Sequence, residues 1–162
     1  MSYQAIQVRF QEPVCFLQLY RPEANNTIND QVVNECHQVL AQCKDSITIV
    51  VLEGLPEVFC FGADFQGIAH HVANGQPGGN EPGPLYDLWL KLATGPYITI
   101  FTSRVRPNAG GMGFVTASDI VLADQSAQFS LSELLFGLFP AYVLPFLIRC
   151  LGFQKVHYLT LM

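Results

Sequence analysis

The first twenty residues alternate between apolar and polar side chains, which predicts two β-strands. Residues 5–10 and 14–20 both show the period of two that is typical of a strand with one buried face. Gln11, Glu12 and Pro13 stand between them, a segment as short as a turn. We therefore predict that the chain opens with a β-hairpin.

The next segment shows the period of a helix, and the segment after it again has the pattern of a strand. Asp30 is expected to cap a helix that reaches Lys44, because apolar residues recur at positions 32, 36, 39 and 43. Residues 47–52 (ITIVVL) are a largely β-branched apolar run, which is typical of a strand covered on both faces. Strand, helix and strand in this order predict a crossover between parallel strands, and so an α/β fold.

Four glycines and three prolines within residues 74–84 predict a loop at the start of the second half of the chain. The elements predicted beyond it are a helix at 85–92, a strand at 97–101, a glycine-rich turn at 108–113, short strands at 120–123 and 127–130, and helical pieces from 132 to 162. No repeat or linker divides the chain, so we expect a single domain over residues 1–162. The last segment stops without a cap or a charge cluster, which favours a chain truncated at its C-terminus.

Composition narrows the class of protein. Of the 162 residues, 50% are hydrophobic and 13% are charged, which excludes a disordered protein. A net charge of −5, with only 8 Lys and Arg, argues against a nucleic-acid partner. The apolar run at 134–148 is too short, and too often interrupted by glycine and proline, for a membrane span. Five cysteines without a C-x-x-C pair, together with an N-terminus that has no apolar signal core, favour the cytoplasm.

Two turns that follow predicted strands carry small residues, which leave backbone N–H groups open to a ligand. The first contains Gly62 and Ala63, and the adjacent Asp64 is a suitable helix N-cap. The second spans residues 108–113 and has a Gly-Gly pair near its centre. Two N–H groups that converge on one point form an oxyanion hole. Each turn taken singly is more often structural than functional.

Glu133 is the carboxylate of most interest, because it lies beside an apolar run. Desolvation there would raise its pKa toward the range that suits a general acid or base. Alternatively, Ser130 and Glu133 form a capping box at the start of a helix, and their spacing alone slightly favours this interpretation.

The sequence does not contain the signatures of several other chemistries. It has neither G-x-x-x-x-G-K-[ST] nor G-x-G-x-x-G, the patterns of nucleotide-binding loops. It has no G-x-S-x-G of a serine hydrolase. The four histidines show no spacing typical of zinc ligands. We therefore predict neither a metal site nor a redox cofactor.

Taken together, the motifs resemble those of the crotonase superfamily, which comprises the enoyl-CoA hydratases and isomerases. The segments that carry the resemblance, in order and spacing, are Phe61-Gly62-Ala63-Asp64, Ala109-Gly110-Gly111, residues 118–123, residues 128–133 and Gly137-Leu138-Phe139-Pro140. Residues 21–26 are similar to an early substrate loop of the superfamily, so the likeness covers nearly the whole chain. It implies a ββα spiral core, homotrimers or hexamers built from pairs of trimers, and acyl thioester substrates.

The resemblance also implies roles for particular residues. The N–H groups of Ala63 and Gly110 would hold the thioester oxygen and stabilise an enolate. Glu133 matches the second of the two catalytic glutamates of ordinary hydratases. Gly113 stands at the position of the first, so that carboxylate is missing here.

Further substrate contacts are expected around these groups. The residues concerned are Gly62, Asp64, Asn108 and Gly111. Asp64 and Asn108 would orient the hydroxyl group or Glu133, although a helix cap and a turn residue remain open as their alternative roles. Lys91, Arg104 and Arg106 are three alternative cations for a distal carboxylate of the substrate.

Within the superfamily, residues 108–113 and 129–140 most resemble the dehydratases of polyketide β-branching cassettes. The implied activity is that of a hydro-lyase, which converts a 3-hydroxy-3-methylglutaryl group on an acyl carrier protein to 3-methylglutaconyl-carrier protein. The phosphopantetheine arm of the carrier protein, or CoA, would carry the acyl group, and no other cofactor is expected. Three alternatives stay open: the sister decarboxylase of the cassette, a generic enoyl-CoA hydratase or isomerase, and a non-catalytic truncated fragment. Because members of the family are longer, their C-terminal helical part is expected to be missing.

Overall fold

A single five-stranded sheet forms the centre of the computed structural model, which describes residues 3–64, 82–103, 109–133, 137 and 139–161. The strands are β1 (Ile6–Gln11), β2 (Val14–Leu19), β3 (Ile49–Glu53), β4 (Ile98–Ser103) and β5 (Ile120–Ala123). They lie in the sheet in the order of the chain. β1 and β2 are antiparallel, and every later pair of neighbours is parallel. The predicted hairpin, crossover and α/β class are confirmed.

Helices connect the parallel strands. They are α1 (Asp30–Gln42), α2 (Pro82–Thr94), α3 (Gly111–Ala117), α4 (Leu144–Leu151) and α5 (Phe153–Leu161), with a short 3-10 helix at Pro22–Ala24. Helix α1 packs on β1, β2 and α2, and the remaining helices contact one another in chain order from α2 to α5. The sheet therefore has a helical layer, and the loops that follow β3 and β4 lie at one edge of it.

The N-cap of α1 is Asn29, so the prediction of Asp30 was one residue too late. Asn29 has an extended backbone, with φ −125° and ψ 176°, and its side chain accepts a hydrogen bond from the Val32 N–H at 3.0 Å. Asp30 is the first helical residue, where its negative charge interacts favourably with the helix dipole. Both residue types are good caps, which explains the ambiguity in the sequence.

The buried positions of the sheet form rows across neighbouring strands. Cys15 pairs with Val50 and Val50 with Thr99, and all three are fully buried. Leu17, Leu52 and Phe101 form the next row. The alternate residues of β3 are only half-buried, so the prediction that this strand is covered on both faces was wrong. A continuous apolar run does not reveal that only one face is fully packed.

Other predicted boundaries shift by a few residues. The strand expected at 127–130 is not formed, and only Ser130 makes a bridge-type pairing. Residues 74–81 of the predicted loop lie outside the described residues, and residues 82–84 belong to α2. Proline is favourable in the first turn of a helix, because the missing N–H needs no partner there.

Candidate active site

The turn after β3 and the turn after β4 lie against each other. A Cβ built on Gly110 would stand 4.0 Å from the Cα of Gly62. A Cβ on Gly111 would stand 3.0 Å from the Cβ of Cys60 and 3.1 Å from its carbonyl oxygen. The sequence predicted two separate small-residue turns, and the structure brings them together.

Ile28 joins the two turns. Its N–H donates to the Gly62 carbonyl at 2.8 Å, and its carbonyl accepts from the Asp64 N–H at 3.0 Å. This is a parallel bridge between Ile28 and Ala63, so the N–H of Ala63 points away from Ile28. The Ile28 side chain extends to the other turn, where its Cδ1 lies 3.1 Å from the Cβ position of Gly110.

The two candidate amide donors form no hydrogen bond within the described residues. Within the residues that the structure describes, neither the Ala63 N–H nor the Gly110 N–H donates to an acceptor. Gly110 lies directly before α3, where the first N–H groups have no intrahelical partner. Both turns include left-handed backbone, with φ 102° at Gly62 and 47° at Ala109. Sharp reversals of this kind expose main-chain N–H groups to a ligand.

Asp64 forms an ion pair with Arg21 at this site. Arg21 Nη2 lies 3.0 Å from Asp64 Oδ2, and each side chain is only 15% exposed. Arg21 Nη1 also donates to the Thr27 carbonyl at 2.7 Å. The pair fixes the loop after β2 to the residue that follows Ala63. The alternative prediction was that Asp64 caps a helix. That helix would consist of the residues after Asp64, which lie outside the described part of the chain.

Asn26 holds the same loop in place by hydrogen bonds; the sequence placed it in the early substrate loop but did not predict this role. It is 1% exposed and left-handed, with φ 53°. Its side-chain amide donates to the Leu19 and Phe59 carbonyls at 2.9 and 3.0 Å, and its Oδ1 accepts from the Arg21 N–H at 2.6 Å. Only the preference of asparagine for left-handed turns gave a signal in the sequence.

Cys60 is a structural thiol at the contact between the turns. Its Sγ accepts from the Gly62 N–H at 3.4 Å. Burial raises the pKa of the thiol to about 12, while the Gly62 backbone contact lowers it to a smaller extent. The thiol therefore stays neutral and acts as a small apolar side chain in this place.

Glu133 lies on a segment that is attached to the second turn. The Ala109 N–H donates to the Ser130 carbonyl at 3.1 Å, and Leu131 packs against the hydrophobic core. Glu133 is half-buried, and its Oε2 is enclosed with no hydrogen-bond partner among the described residues. Burial raises the pKa of the carboxyl above its ordinary value, and a weaker hydrogen bond from its own N–H opposes this. A raised pKa of this origin suits a group that takes and returns a proton.

Three of the predicted positions lie outside the described residues, and a fourth, Lys91, lies elsewhere in the fold. Asn108, Arg104 and Arg106 belong to the segment 104–108, which the structure does not describe. The Lys91 ammonium donates to His37 Nδ1 at 3.0 Å, between α2 and α1. The other ring nitrogen, Nε2, lies 2.9 Å from the Pro84 carbonyl, which only accepts, so Nε2 carries the proton.

Comparison with known proteins agrees with this architecture. The sequence profile of the enoyl-CoA hydratase/isomerase family matches residues 9–162. The chain belongs to this family. It is 63% identical to the bacillaene synthase dehydratase PksH of Bacillus subtilis over 163 aligned positions, which are 100% of this chain and 63% of PksH. It is 27% identical to the enoyl-CoA hydratase echA8 of Mycobacterium tuberculosis over 142 positions, covering 86% of this chain and 54% of that protein.

Solved structures of family members superpose closely on the chain. The crystal structure of the polyketide biosynthesis enoyl-CoA hydratase pksH from Bacillus subtilis gives a TM-score of 0.94 at 64% identity, covering 99% of this chain and 64% of that one. The structure of Pseudomonas aeruginosa AtuE gives a TM-score of 0.88 at 28% identity, covering 98% of this chain and 62% of AtuE. The crotonase-type fold is thereby confirmed, and the chain spans less than two thirds of the length of these relatives.

Two negative observations apply to the described residues alone. None of their helices is long and apolar enough to cross a membrane. No group of three or more His, Cys, Asp or Glu side chains among them is arranged to hold a metal ion.

Proposed function

We propose that this chain dehydrates a 3-hydroxy-3-methylglutaryl thioester carried on an acyl carrier protein, giving the 3-methylglutaconyl thioester. The observation that carries the proposal is that the turns at Gly62 and Gly110 lie against each other. The candidate amide donors of these turns are therefore beside the segment that carries the desolvated carboxyl group of Glu133. The 63% identity to a polyketide dehydratase supports this substrate class.

The chemistry follows from the three groups. The Glu133 carboxylate removes the proton from C2, and the electron pair of that C–H bond moves onto the thioester, forming an enolate. The N–H groups of Ala63 and Gly110 bind the enolate oxygen. The electron pair then returns to form the C2–C3 double bond as the C3–O bond breaks. The proton held by Glu133 passes to the departing hydroxide, so the products are the enoyl thioester and water.

The mechanism needs only one carboxylate, because the two proton transfers occur in sequence. This fits a chain with glycine at position 113. We propose no cofactor beyond the pantetheine arm that presents the acyl group, and the carrier protein is the proposed partner. The trimeric or hexameric assembly and the cytoplasmic location remain predictions.

Mass spectrometry of the acyl carrier protein tests this function. Incubation of the hydroxyacyl-carrier protein with the chain should remove the mass of one water, and Glu133→Gln should slow this by about 100-fold or more. Glu12→Gln, a change in the exposed turn between β1 and β2, is the matched control and should leave the rate unchanged. A folded wild-type chain that removes no water contradicts the proposal, and loss of carbon dioxide from a supplied 3-methylglutaconyl thioester instead identifies the sister decarboxylase.

A generic enoyl-CoA hydratase is the second candidate, which the likeness to echA8 favours. The two candidates differ in the carrier that they accept. The proposed dehydratase should turn over the carrier-bound substrate with a higher kcat/KM than the same acyl group on CoA. Equal or higher kcat/KM with the CoA thioester would favour the generic hydratase.

A further inference from the structure

The indole of Trp89 occupies the space beside Gly113 in which a side chain at position 113 would lie. A Cβ on Gly113 would stand within 2.1 Å of Trp89 Cε2, the ring carbon that is bonded to Nε1. Gly113 lies one helical turn from the second candidate donor, because its N–H donates to the Gly110 carbonyl at 3.1 Å. The indole of α2 therefore reaches the beginning of α3, next to the turn that carries the Gly110 amide.

Trp89 has a polar atom that the described fold does not satisfy. The residue is 2% exposed, and its Nε1 is buried without an acceptor among the described residues. The ring is held edge-to-face by Phe114 and Phe146, with centroid distances of 6.2 and 6.0 Å. A buried donor without a partner destabilises a protein, and phenylalanine would pack in an apolar cluster without that penalty. The indole N–H at this place thus indicates a ligand acceptor.

Dehydration develops negative charge at two oxygens. The Ala63 and Gly110 amides would serve the thioester oxygen, and the hydroxide that leaves C3 needs a donor of its own until it is protonated. We infer that the Trp89 Nε1–H donates a hydrogen bond to this departing oxygen. The inference rests on the proposed dehydration. The indole keeps its own proton throughout: the C3–O bond breaks with its electron pair on oxygen, and Glu133 supplies the proton that completes water.

The test separates the departure of the hydroxyl group from the removal of the C2 proton. Trp89→Phe should lower kcat for dehydration by about 10- to 100-fold with little change in KM. Exchange of the C2 hydrogen in deuterated water is measured with a 3-methylglutaryl thioester, which has no hydroxyl group to lose. That exchange depends on Glu133 and the amides, and it should keep its wild-type rate in Trp89→Phe.

A second replacement keeps the bicyclic aromatic ring. The chain has a single tryptophan, so global incorporation of 3-benzothienylalanine replaces Trp89 alone and exchanges the N–H for sulfur. It should reproduce the kinetic pattern of Trp89→Phe. Phe146→Leu is the control, because it loosens the packing around the indole and removes no donor, and it should leave the ratio of dehydration to exchange unchanged.

The outcomes distinguish this inference from the proposed function. Dehydration that falls while exchange persists supports the donor. Unchanged dehydration, or an equal fall in both rates, overturns it and leaves Trp89 as a packing residue. A wild-type chain that catalyses neither reaction overturns the proposed function itself, and the inference with it.

Discussion

Gly111 lies so close to Cys60 that a Cβ at position 111 would be 3.0 Å from the Cβ of Cys60 and 3.1 Å from its carbonyl oxygen. This contact sets the distance between the two turns that carry the candidate amides. Because the carbonyl belongs to the main chain, it cannot move aside as the end of a long side chain would. Any side chain at position 111 must therefore push the turns apart.

Gly111→Ala is expected to lower the free energy of unfolding by about 1–3 kcal/mol through this overpacking. It should also reduce dehydration by up to about 100-fold, because the Gly110 N–H moves relative to Ala63. Gly83→Ala in α2 is the control, since no atom lies within 4 Å of the added Cβ. Chemical denaturation and steady-state kinetics measure both effects. Equal stability of the two variants would contradict the contact.

Gly113→Ala should be more damaging to stability than Gly111→Ala. The added Cβ would overlap the Trp89 ring, which is held on other sides by aromatic neighbours. We expect a loss of about 3 kcal/mol. Thermal unfolding measures the loss, and the emission of the single tryptophan should shift as its surroundings open. A variant with wild-type stability and emission would show that the indole lies elsewhere.

The ion pair between Arg21 and Asp64 should contribute more to stability than the ion pair between Arg21 and the exposed Glu23. Asp64→Asn leaves the partly buried guanidinium without its counter-charge and should cost about 1–2 kcal/mol. Glu23→Gln removes a carboxylate that is 69% exposed and 3.7 Å from Arg21 Nε, and should cost less than about 0.5 kcal/mol. Comparison of the urea midpoints decides between them, and similar losses would argue against a stabilising role for the Arg21–Asp64 pair.

Glu133 should make the stability of the folded chain depend on pH. Burial raises the pKa of its carboxyl from the ordinary 4.5, so folding favours the protonated form. The free energy of unfolding of the wild type should therefore fall, relative to Glu133→Gln, as pH rises from 4.5 through the raised pKa. Below that window the two should differ by a constant amount. The acid limb of the kcat/KM profile should likewise have its midpoint above 4.5, and a midpoint at or below it would exclude Glu133 as the base.

Thiol labelling should distinguish Cys150 from the other cysteines. Cys150 is exposed, whereas Cys15, Cys36, Cys43 and Cys60 are buried. A disulfide-forming reagent should therefore modify one thiol rapidly in the native chain and all five after unfolding. Peptide mapping identifies the labelled residue. Rapid native labelling of Cys60 would show that the contact between the turns opens readily.

The sequence predicted the elements well where one local pattern decides them. The alternation in β1 and β2 revealed the hairpin, because side chains of a strand point alternately to its two faces. The apolar run of β3 was less informative, since it does not say which faces are covered. Residues 127–130 alternate too, but alternation does not provide the partner strand that pairing requires.

The candidate site was predictable only in part, for a similar reason. Small residues identified the two turns, because access to the main chain requires little bulk, and the resemblance to the crotonase superfamily implied Ala63 and Gly110 as the donors. The resemblance placed Arg21 in a substrate loop without giving it a role, and Ile28 was missed as part of the site. Their roles depend on partners 43 residues away in one case and on a single parallel bridge in the other. No short window of sequence contains that information.

The ion pair between Arg21 and Asp64 closes a loop of 43 residues that contains α1 and β3. Closing so long a loop costs chain entropy that is recovered only once the intervening strands have paired. The arrangement of the Ala63 amide is therefore a late product of folding rather than a local property of its turn. Catalytic competence should therefore appear together with the cooperative formation of the sheet.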